Sequence, residues 1–295
     1  MNGSSLELCA YSKLLRVRPA YFVSFLKKTL GIKRRAIELE GGRHFWIDPV
    51  SQFGLELLRE GTYEPTMTQL IGTLLRPGDT FVDIGGNEGY FSMVASQIVG
   101  RGQVHCVEPQ RRLQSVIREN ISLNRAKNIH VHALALADAE ATKELHLRPD
   151  TNTGSSGFYG GRKWGSKTES VSVTTLDKFF AIHGIERARL MKVDCEGAEA
   201  PMMVGAEEVF SSRRIDFLAL EFHPNVIGHA KCTEINSQLR RSGYRLTRAN
   251  ALWVYHLPGL EKDLASLGTL NEIHWDEKGE ITVGAVLLPN STRAA

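Results

Sequence analysis

A chain of 295 residues is one large domain or a domain with appendages, and 42% hydrophobic with 23% charged residues is ordinary globular usage. A net charge of +3 is too small to require a polyanionic partner. Cys9, Cys106, Cys195 and Cys232 form no C-x-x-C pair, so neither a zinc site nor a disulfide framework is signalled.

The expected location is cytoplasmic: no apolar run approaches the roughly 18 residues of a membrane span, and the N-terminus is a poor signal peptide. From Leu8 to Ile37 there is no acid, while Lys13, Arg16, Arg18, Lys27, Lys28, Lys33, Arg34 and Arg35 are cationic. Leu14, Leu15, Val17, Phe22, Phe25, Leu26 and Leu30 interleave at helical spacing, so residues 1–55 read as a basic helical extension. Such a segment packs on the body of the protein or makes a peripheral contact with an anionic membrane.

Regular structure begins after the turn Pro77-Gly78-Asp79, with a buried strand over Thr80 to Ile84. A helix follows from Tyr90 to Val99, closed by Gly100 and Gly102. "QVHCVEP" is the second strand, ending at Glu108, and Arg111 to Asn124 is a helix. "IHVHALAL" is the third strand, and "TKELHL" a short strand in an excursion. Thr151 to Ser166 is a glycine- and serine-rich loop, expected to be mobile and to order over a bound acceptor molecule, with Tyr159 and Trp164 as its aromatic surface. "SVSVTTLDKFF" gives a strand and a helix, "RLMKVDCEGAE" a strand ending at Asp194, Ala198 to Phe210 a helix, and "IDFLALEFHP" a strand ending at Glu221 and His223. This alternation implies an α/β fold, doubly wound around a mainly parallel sheet. The divisions are the extension, a main α/β domain over 56–257 and a C-terminal extension over 258–295 packed on the core.

Asp83, Glu108, Asp194 and Glu221 all fall at carboxyl ends of predicted strands, where open parallel sheets place their ligand crevice. Carboxylates there suit a ligand that is cationic or rich in hydroxyl donors. The glycine corner "FVDIGGNEGYFS" fails G-x-G-x-x-G in both registers, and no P-loop occurs. Asp83, two residues before Gly85, would repel a pyrophosphate and attract an ammonium or a sulfonium, both of which S-adenosylmethionine carries. Gly85 and Gly86 let the backbone approach such a ligand, and Glu108, 25 residues after Asp83, can accept bonds from ribose hydroxyls.

"FVDIGGNEGYFS", "VHCVEP", "ENISLN", "VSVTTLD" and "LMKVDCEGAE", in that order, resemble the FkbM family of S-adenosylmethionine-dependent methyltransferases. "GTYEP" (61–65) and "FLALEFHP" resemble family elements too, and Gly86 stands where the family more often has alanine. The resemblance implies a seven-stranded sheet of the Rossmann-like class I methyltransferase type and O-methylation of a sugar, glycolipid or secondary metabolite. It places Asp83, Gly85, Asn87 and Gly89 around the methionine part of the cofactor, Glu108 on the ribose, Leu136 by the adenine, and Asp194 and Glu196 at the reacting centre. Gly86 and Tyr90 are expected cofactor contacts as well.

A hydroxyl nucleophile needs a base, worth roughly 10²–10⁴-fold. Asp194 and Glu196 come first, His223 next because its ordinary pKa of about 6.5 suits neutrality, and Glu221 completes the set. Glu199 reads more readily as a first-turn acid favourable to the helix dipole. No short-range ligand spacing supports a metal, so none is expected. The acceptor is a small molecule or glycan. A nucleic-acid methyltransferase using the basic arm on phosphates, or a non-catalytic nucleotide-binding protein of the same fold, are the alternatives; no nucleic-acid module is recognisable.

Overall fold

The computed structural model describes residues 5–159, 167–249, 252–267, 270–275 and 281–286. Two helices open it, α1 (Ser5–Leu15) and α2 (Tyr21–Thr29). The extension is not helical throughout: β1 (Arg35–Leu39) and β2 (Arg43–Ile47) pair antiparallel. Ile37, Leu39, Phe45 and Ile47 alternate with more exposed neighbours, the period of a half-buried hairpin. Helix α3 (Gln52–Glu60) is capped by Ser51, whose Oγ accepts from the Gly54 amide at 2.9 Å, and α4 (Pro65–Leu74) follows Glu64.

The centre matches the expected alternation: β3 (Thr80–Ile84), α5 (Tyr90–Val99), β4 (Gln103–Val107), α6 (Arg111–Leu123) and β5 (Ile129–His132). The third strand is shorter than expected. The chain leaves the main sheet after His132, and β6 (Ala135–Leu136), β7 (Ala141–Leu147) and β8 (Lys167–Thr174) form a separate three-stranded sheet. Then come α7 (Leu176–Ile182), β9 (Ala188–Val193), α8 (Glu199–Val204), α9 (Glu207–Ser211) and β10 (Ile215–Leu220). The single helix expected over 198–210 is broken between α8 and α9. Gly205 lies against the backbone of Ala137, where a Cβ would overlap the Ala137 carbonyl oxygen, and its own carbonyl accepts from the Asp177 amide at 3.0 Å. The remaining elements are α10 (Pro224–Ile227), α11 (His229–Arg241), β11 (Arg245–Ala249), β12 (Leu252–His256), α12 (Glu261–Leu264), β13 (Leu270–Trp275) and β14 (Ile281–Val286).

The main sheet runs β14-β13-β11-β12-β10-β9-β3-β4-β5. Strands β10, β9, β3, β4 and β5 are parallel, and β12 and β11 complete the expected seven. The antiparallel pair β13–β14 extends the β11 edge. Successive residues of each central strand feed opposite faces. Phe81, Leu190 and Phe217 join a core with Phe45 and Leu70, whereas Val82, Met191 and Leu218 join one with Phe179 and Phe210. Strand β4 lies on one side of β3, and β9 and β10 on the other. The crossover direction therefore reverses at β3, where the crevice of a doubly wound sheet opens.

Candidate active site

A cavity of about 240 Å³ lies at that point. Its wall begins with the corner after β3. Gly85, Asn87 and Gly89 all have positive φ, at 77°, 47° and 82°. No side chain fits at Gly85, because a Cβ would overlap the Asp194 carbonyl oxygen. At Gly86 a Cβ would overlap the Cys106 sulfur. The amides of Gly85 and Gly86 both donate to the Val107 carbonyl at 3.0 Å, so the corner is sewn to β4.

Glu108 follows directly on β4. One carboxylate oxygen accepts from the Asn87 amide at 2.9 Å, the other from the Gln110 amide at 2.8 Å. Burial pushes this carboxyl up to about 7, against the pull of the Gln110 and Asn87 hydrogen bonds. Each oxygen keeps a lone pair free for a hydroxyl donor. Leu134, Ala135 and Leu136 add an apolar stretch beside Val107 and Pro109, with Leu136 on the small sheet and not on a main-sheet strand.

Asp83 differs from expectation. It is wholly buried, does not line the cavity, accepts from the Ser92 hydroxyl at 2.7 Å, and lies 3.4 Å from the Lys192 ammonium. Its charge is already answered inside the protein. Gly89 is also off the wall; it starts α5 and packs on Ile117. Tyr90 reaches the wall, its hydroxyl 3.1 Å from that of Thr62.

Two cavity residues escape a reading of the strand ends. Lys192, within the buried run of β9, donates to the Gly85 carbonyl at 2.8 Å and stands 3.6 Å from Asp194. Burial disfavours its charge, but Asp83, Asp194 and Glu64 outweigh that and hold its pKa above the ordinary lysine value. Glu64 enters the wall from the "GTYEP" segment with φ 41°, an uncommon conformation for a side-chain-bearing residue and one disfavoured before proline. Burial pushes its carboxyl up to about 7, with Lys192 drawing it down and Asp194 and Glu221 pushing it further up. The only sequence signal was the family-like Glu-Pro pair.

Beyond β9 and β10 lie Asp194, Glu196 and Glu221, all on the cavity wall. Glu196 also has positive φ, at 50°, in a turn continued by Gly197 at 100°. Burial pushes the Glu196 carboxyl up to about 7; His223 lowers it, and Asp194, Glu221 and Glu199 raise it. Glu221 is likewise raised, by burial and then by Asp194.

His223 does not line the cavity but touches this group. Its Nε2 is 3.6 Å from Glu196 and 3.8 Å from Asp194, and its Nδ1 is 2.7 Å from the buried Glu199 carboxylate. Burial opposes the imidazolium, yet Glu199, then Glu196 and Asp194, raise its pKa to about 9. The ordinary pKa that favoured His223 as a base is therefore lost. Glu199, which the sequence favours as a first-turn helix acid, is tied into this group: it accepts from His223 and from the Gly197 amide at 3.1 Å. Asp194, Glu196 and His223 are close enough together to share a cation, although a protonated His223 already supplies positive charge there.

The described half of the glycine- and serine-rich loop is already on the site. Asn152 and Gly154 to Phe158 line the cavity, the Thr153 hydroxyl donates to Asn87 at 2.8 Å, and Gln110 donates to the Thr153 carbonyl at 3.1 Å. Tyr159 is exposed, and Trp164 lies outside the described residues.

A family model described as a methyltransferase FkbM domain matches residues 83–246, more than half of the chain. The chain is 26% identical over 176 residues to the 2-O-methyltransferase NoeI of Sinorhizobium fredii, covering 52% of this chain and 70% of that protein. It is 27% identical over 165 residues to the 31-O-demethyl-FK506 methyltransferase FkbM of Streptomyces tacrolimicus, covering 46% of this chain and 63% of that one. Among solved structures, M. jannaschii TYW2 in complex with AdoMet aligns with a TM-score of 0.37 at 13% identity, over 76% of this chain and 84% of that chain.

Proposed function

The chain belongs to the FkbM methyltransferase family, and on that premise we propose that it transfers a methyl group from S-adenosylmethionine to a hydroxyl oxygen of a sugar, glycolipid or secondary metabolite. The observation that carries this reading is the division of the cavity by β3. Glu108 stands on the β4 side, and Asp194, Glu196 and Glu221 on the β9–β10 side. The first side suits a nucleoside and the second an acceptor. Two of the matched relatives, NoeI and FkbM, are named as acting on oxygen.

The residues present fit the cofactor. Gly85 and Gly86 leave no room for side chains and bring backbone to the cavity, and Glu108 has lone pairs to spare for ribose hydroxyls. Leu136, Val107 and Pro109 would take the adenine; Gly85, Asn87, Tyr90 and Glu64 would take the methionine part. With Asp83 committed to Lys192, the cation-accepting role passes to Glu64. When bound, S-adenosylmethionine supplies an electrophilic methyl group, and most of the acceleration comes from holding a nucleophile in line with it.

On the acceptor side, Glu196 is the base. Its carboxylate would take the hydroxyl proton as the acceptor oxygen bonds the methyl carbon and the carbon–sulfur bond breaks, the demethylated cofactor leaving as a neutral thioether. A pKa near 7 balances the fraction ionised against basicity. The left-handed backbone at 196 fixes where the carboxylate is presented, a strain of the kind that gathers at functional sites. His223 is a positioning residue: Glu199 anchors one ring nitrogen, and the other faces Glu196 and Asp194. Asp194 and Glu221 accept from neighbouring hydroxyls of the acceptor.

Calorimetry should show binding of S-adenosylmethionine and its demethylated product in preference to NAD. Incubation with methyl-labelled S-adenosylmethionine and pooled sugars, lipids and RNA should then place the label on a hydroxylated small molecule or glycan. Label on RNA, or on nothing while the cofactor binds, would sink the reading.

A further inference from the structure

We propose that the N-terminal helices are a docking surface for an anionic lipid bilayer. The inference is independent of methyl transfer: docking without transfer, or transfer without docking, would separate the two.

Helix α1 buries no residue and α2 buries only Val23. Of the nine large apolar side chains that are exposed among the described residues, five fall here: Leu6, Tyr21, Phe22, Phe25 and Leu30. Tyr21, Phe22 and Phe25 share one face of α2, and the rings of Phe22 and Phe25 are 5.6 Å apart. Val23 and Lys27 point the other way, Val23 into the body and Lys27 to Asp48. Aromatic side chains gathered on one exposed face mark an interaction site more often than chance exposure does.

Charge selects the occupant. Three of the eight cations between Leu8 and Ile37 are used internally: Lys27 on Asp48, Arg34 on Glu88 and Arg35 on Glu7. Lys13, Arg16, Arg18, Lys28 and Lys33 are exposed and make no ion pair among the described residues. No acid lies between residues 8 and 37 to oppose them. Lys28 flanks the aromatic face itself, one turn beyond Phe25. Aromatic rings that enter the headgroup layer, ringed by cations that meet anionic headgroups, are the chemistry of an interfacial helix. An apolar protein partner alone would not call for five unpaired cations, and RNA phosphates alone would not call for Leu6 and Leu30.

The surface adjoins the active site. The carboxyl end of α2 and residues Gly31 to Lys33 form a concave patch with Asp150. The carbonyl of the next residue, Thr151, accepts from the Gln52 amide at 2.9 Å, and Asn152 and Gly154 to Phe158 line the cavity. A docked chain would hold the loop over its cavity next to the membrane surface, where an amphiphilic hydroxylated acceptor would reside.

The test is cosedimentation of the full chain with vesicles of phosphatidylcholine alone or mixed with phosphatidylglycerol. Binding is expected to mixed vesicles only, and it should weaken with salt. Lys28→Ala with Lys33→Ala should lower the partition about thirtyfold, at roughly fivefold per cation removed. Phe22→Ser with Phe25→Ser should remove the binding that survives high salt. All variants should keep the parent melting temperature. The proposal is overturned if mixed vesicles do not sediment the chain, if folded variants bind like the parent, or if the substitutions abolish RNA binding or a solution dimer while leaving vesicle binding intact.

Discussion

The Glu196 carboxyl, with a pKa of about 7, sits where half of it is ionised at neutrality. Single-turnover methyl transfer should therefore rise with pH through about 7 and level off above it. Glu196→Gln should slow transfer roughly 10²–10⁴-fold with cofactor affinity unchanged, and should flatten that profile. A variant that keeps the parent rate would move the base elsewhere. A chelator should leave the rate alone, because His223 already provides a cation; loss restored by magnesium would contradict this. Glu108→Ala should weaken cofactor binding by roughly 1–3 kcal/mol, the cost of leaving ribose hydroxyls unpaired, as read by calorimetry. Strand-end acids were legible in the sequence because a hydrophobic run ending in a carboxylate is a local pattern. That Asp83 is neutralised by Lys192 and Glu64 takes a place on the cavity wall was not legible, since it depends on which side chains meet across β3 and β9.

Among the elements, the corner between β3 and α5 offers a sharp test of packing. Gly86→Ala puts a methyl group into the Cys106 sulfur and should destabilise the chain by about 1–3 kcal/mol in thermal or urea unfolding. Adding Cys106→Ala should recover most of the loss; if it does not, something other than that contact demands glycine. Apart from the third strand, which leaves the sheet four residues early, and the helix expected over 198–210, the strands and helices of the central alternation were readable to within a few residues, because their apolar periods are strong and their ends carry glycine or proline. The β1–β2 hairpin was missed: its short strands follow a basic helical pattern, and it is held by distant partners. Asn120 and Asn124 of "ENISLN" accept from the Trp46 and His44 amides at 2.7 and 2.9 Å, a tertiary reason for that motif. The break at Gly205, which splits the one helix expected over 198–210, is likewise set by the approach of Ala137. For the loop after residue 150, the expected mobility meets a described half tied to Asn87 and Gln110.

At the scale of the whole molecule, the edge of the parallel sheet carries a second titrating group. His105 and His132 lie 3.2 Å apart at their ring nitrogens, and burial followed by neighbouring histidines lowers their pKa values to about 4 and about 3. Their folded values lie below the ordinary 6.5, so the unfolded chain takes up protons first. The stability they carry is present above about 6.5 and lost as pH falls below it. Glu64, Glu108 and Glu196, raised to about 7, act in the opposite sense. The readout is therefore a difference: His132→Phe should gain melting temperature relative to the parent as pH drops below about 6.5, and a constant difference would refute the linkage.

Fold and site are joined by one feature, the reversal of the sheet at β3, which sets Glu108 and the acidic cluster on opposite sides of one cavity. The central claim is that the methyl group goes to oxygen on the acidic side. The most direct measurement is carbon NMR of products formed by the full chain from [¹³C-methyl]-S-adenosylmethionine and a pool of hydroxylated acceptors. The account predicts a labelled methoxy carbon whose formation falls with Glu196→Gln. A label on nitrogen or carbon, or no transfer from a chain that binds the cofactor, would contradict it.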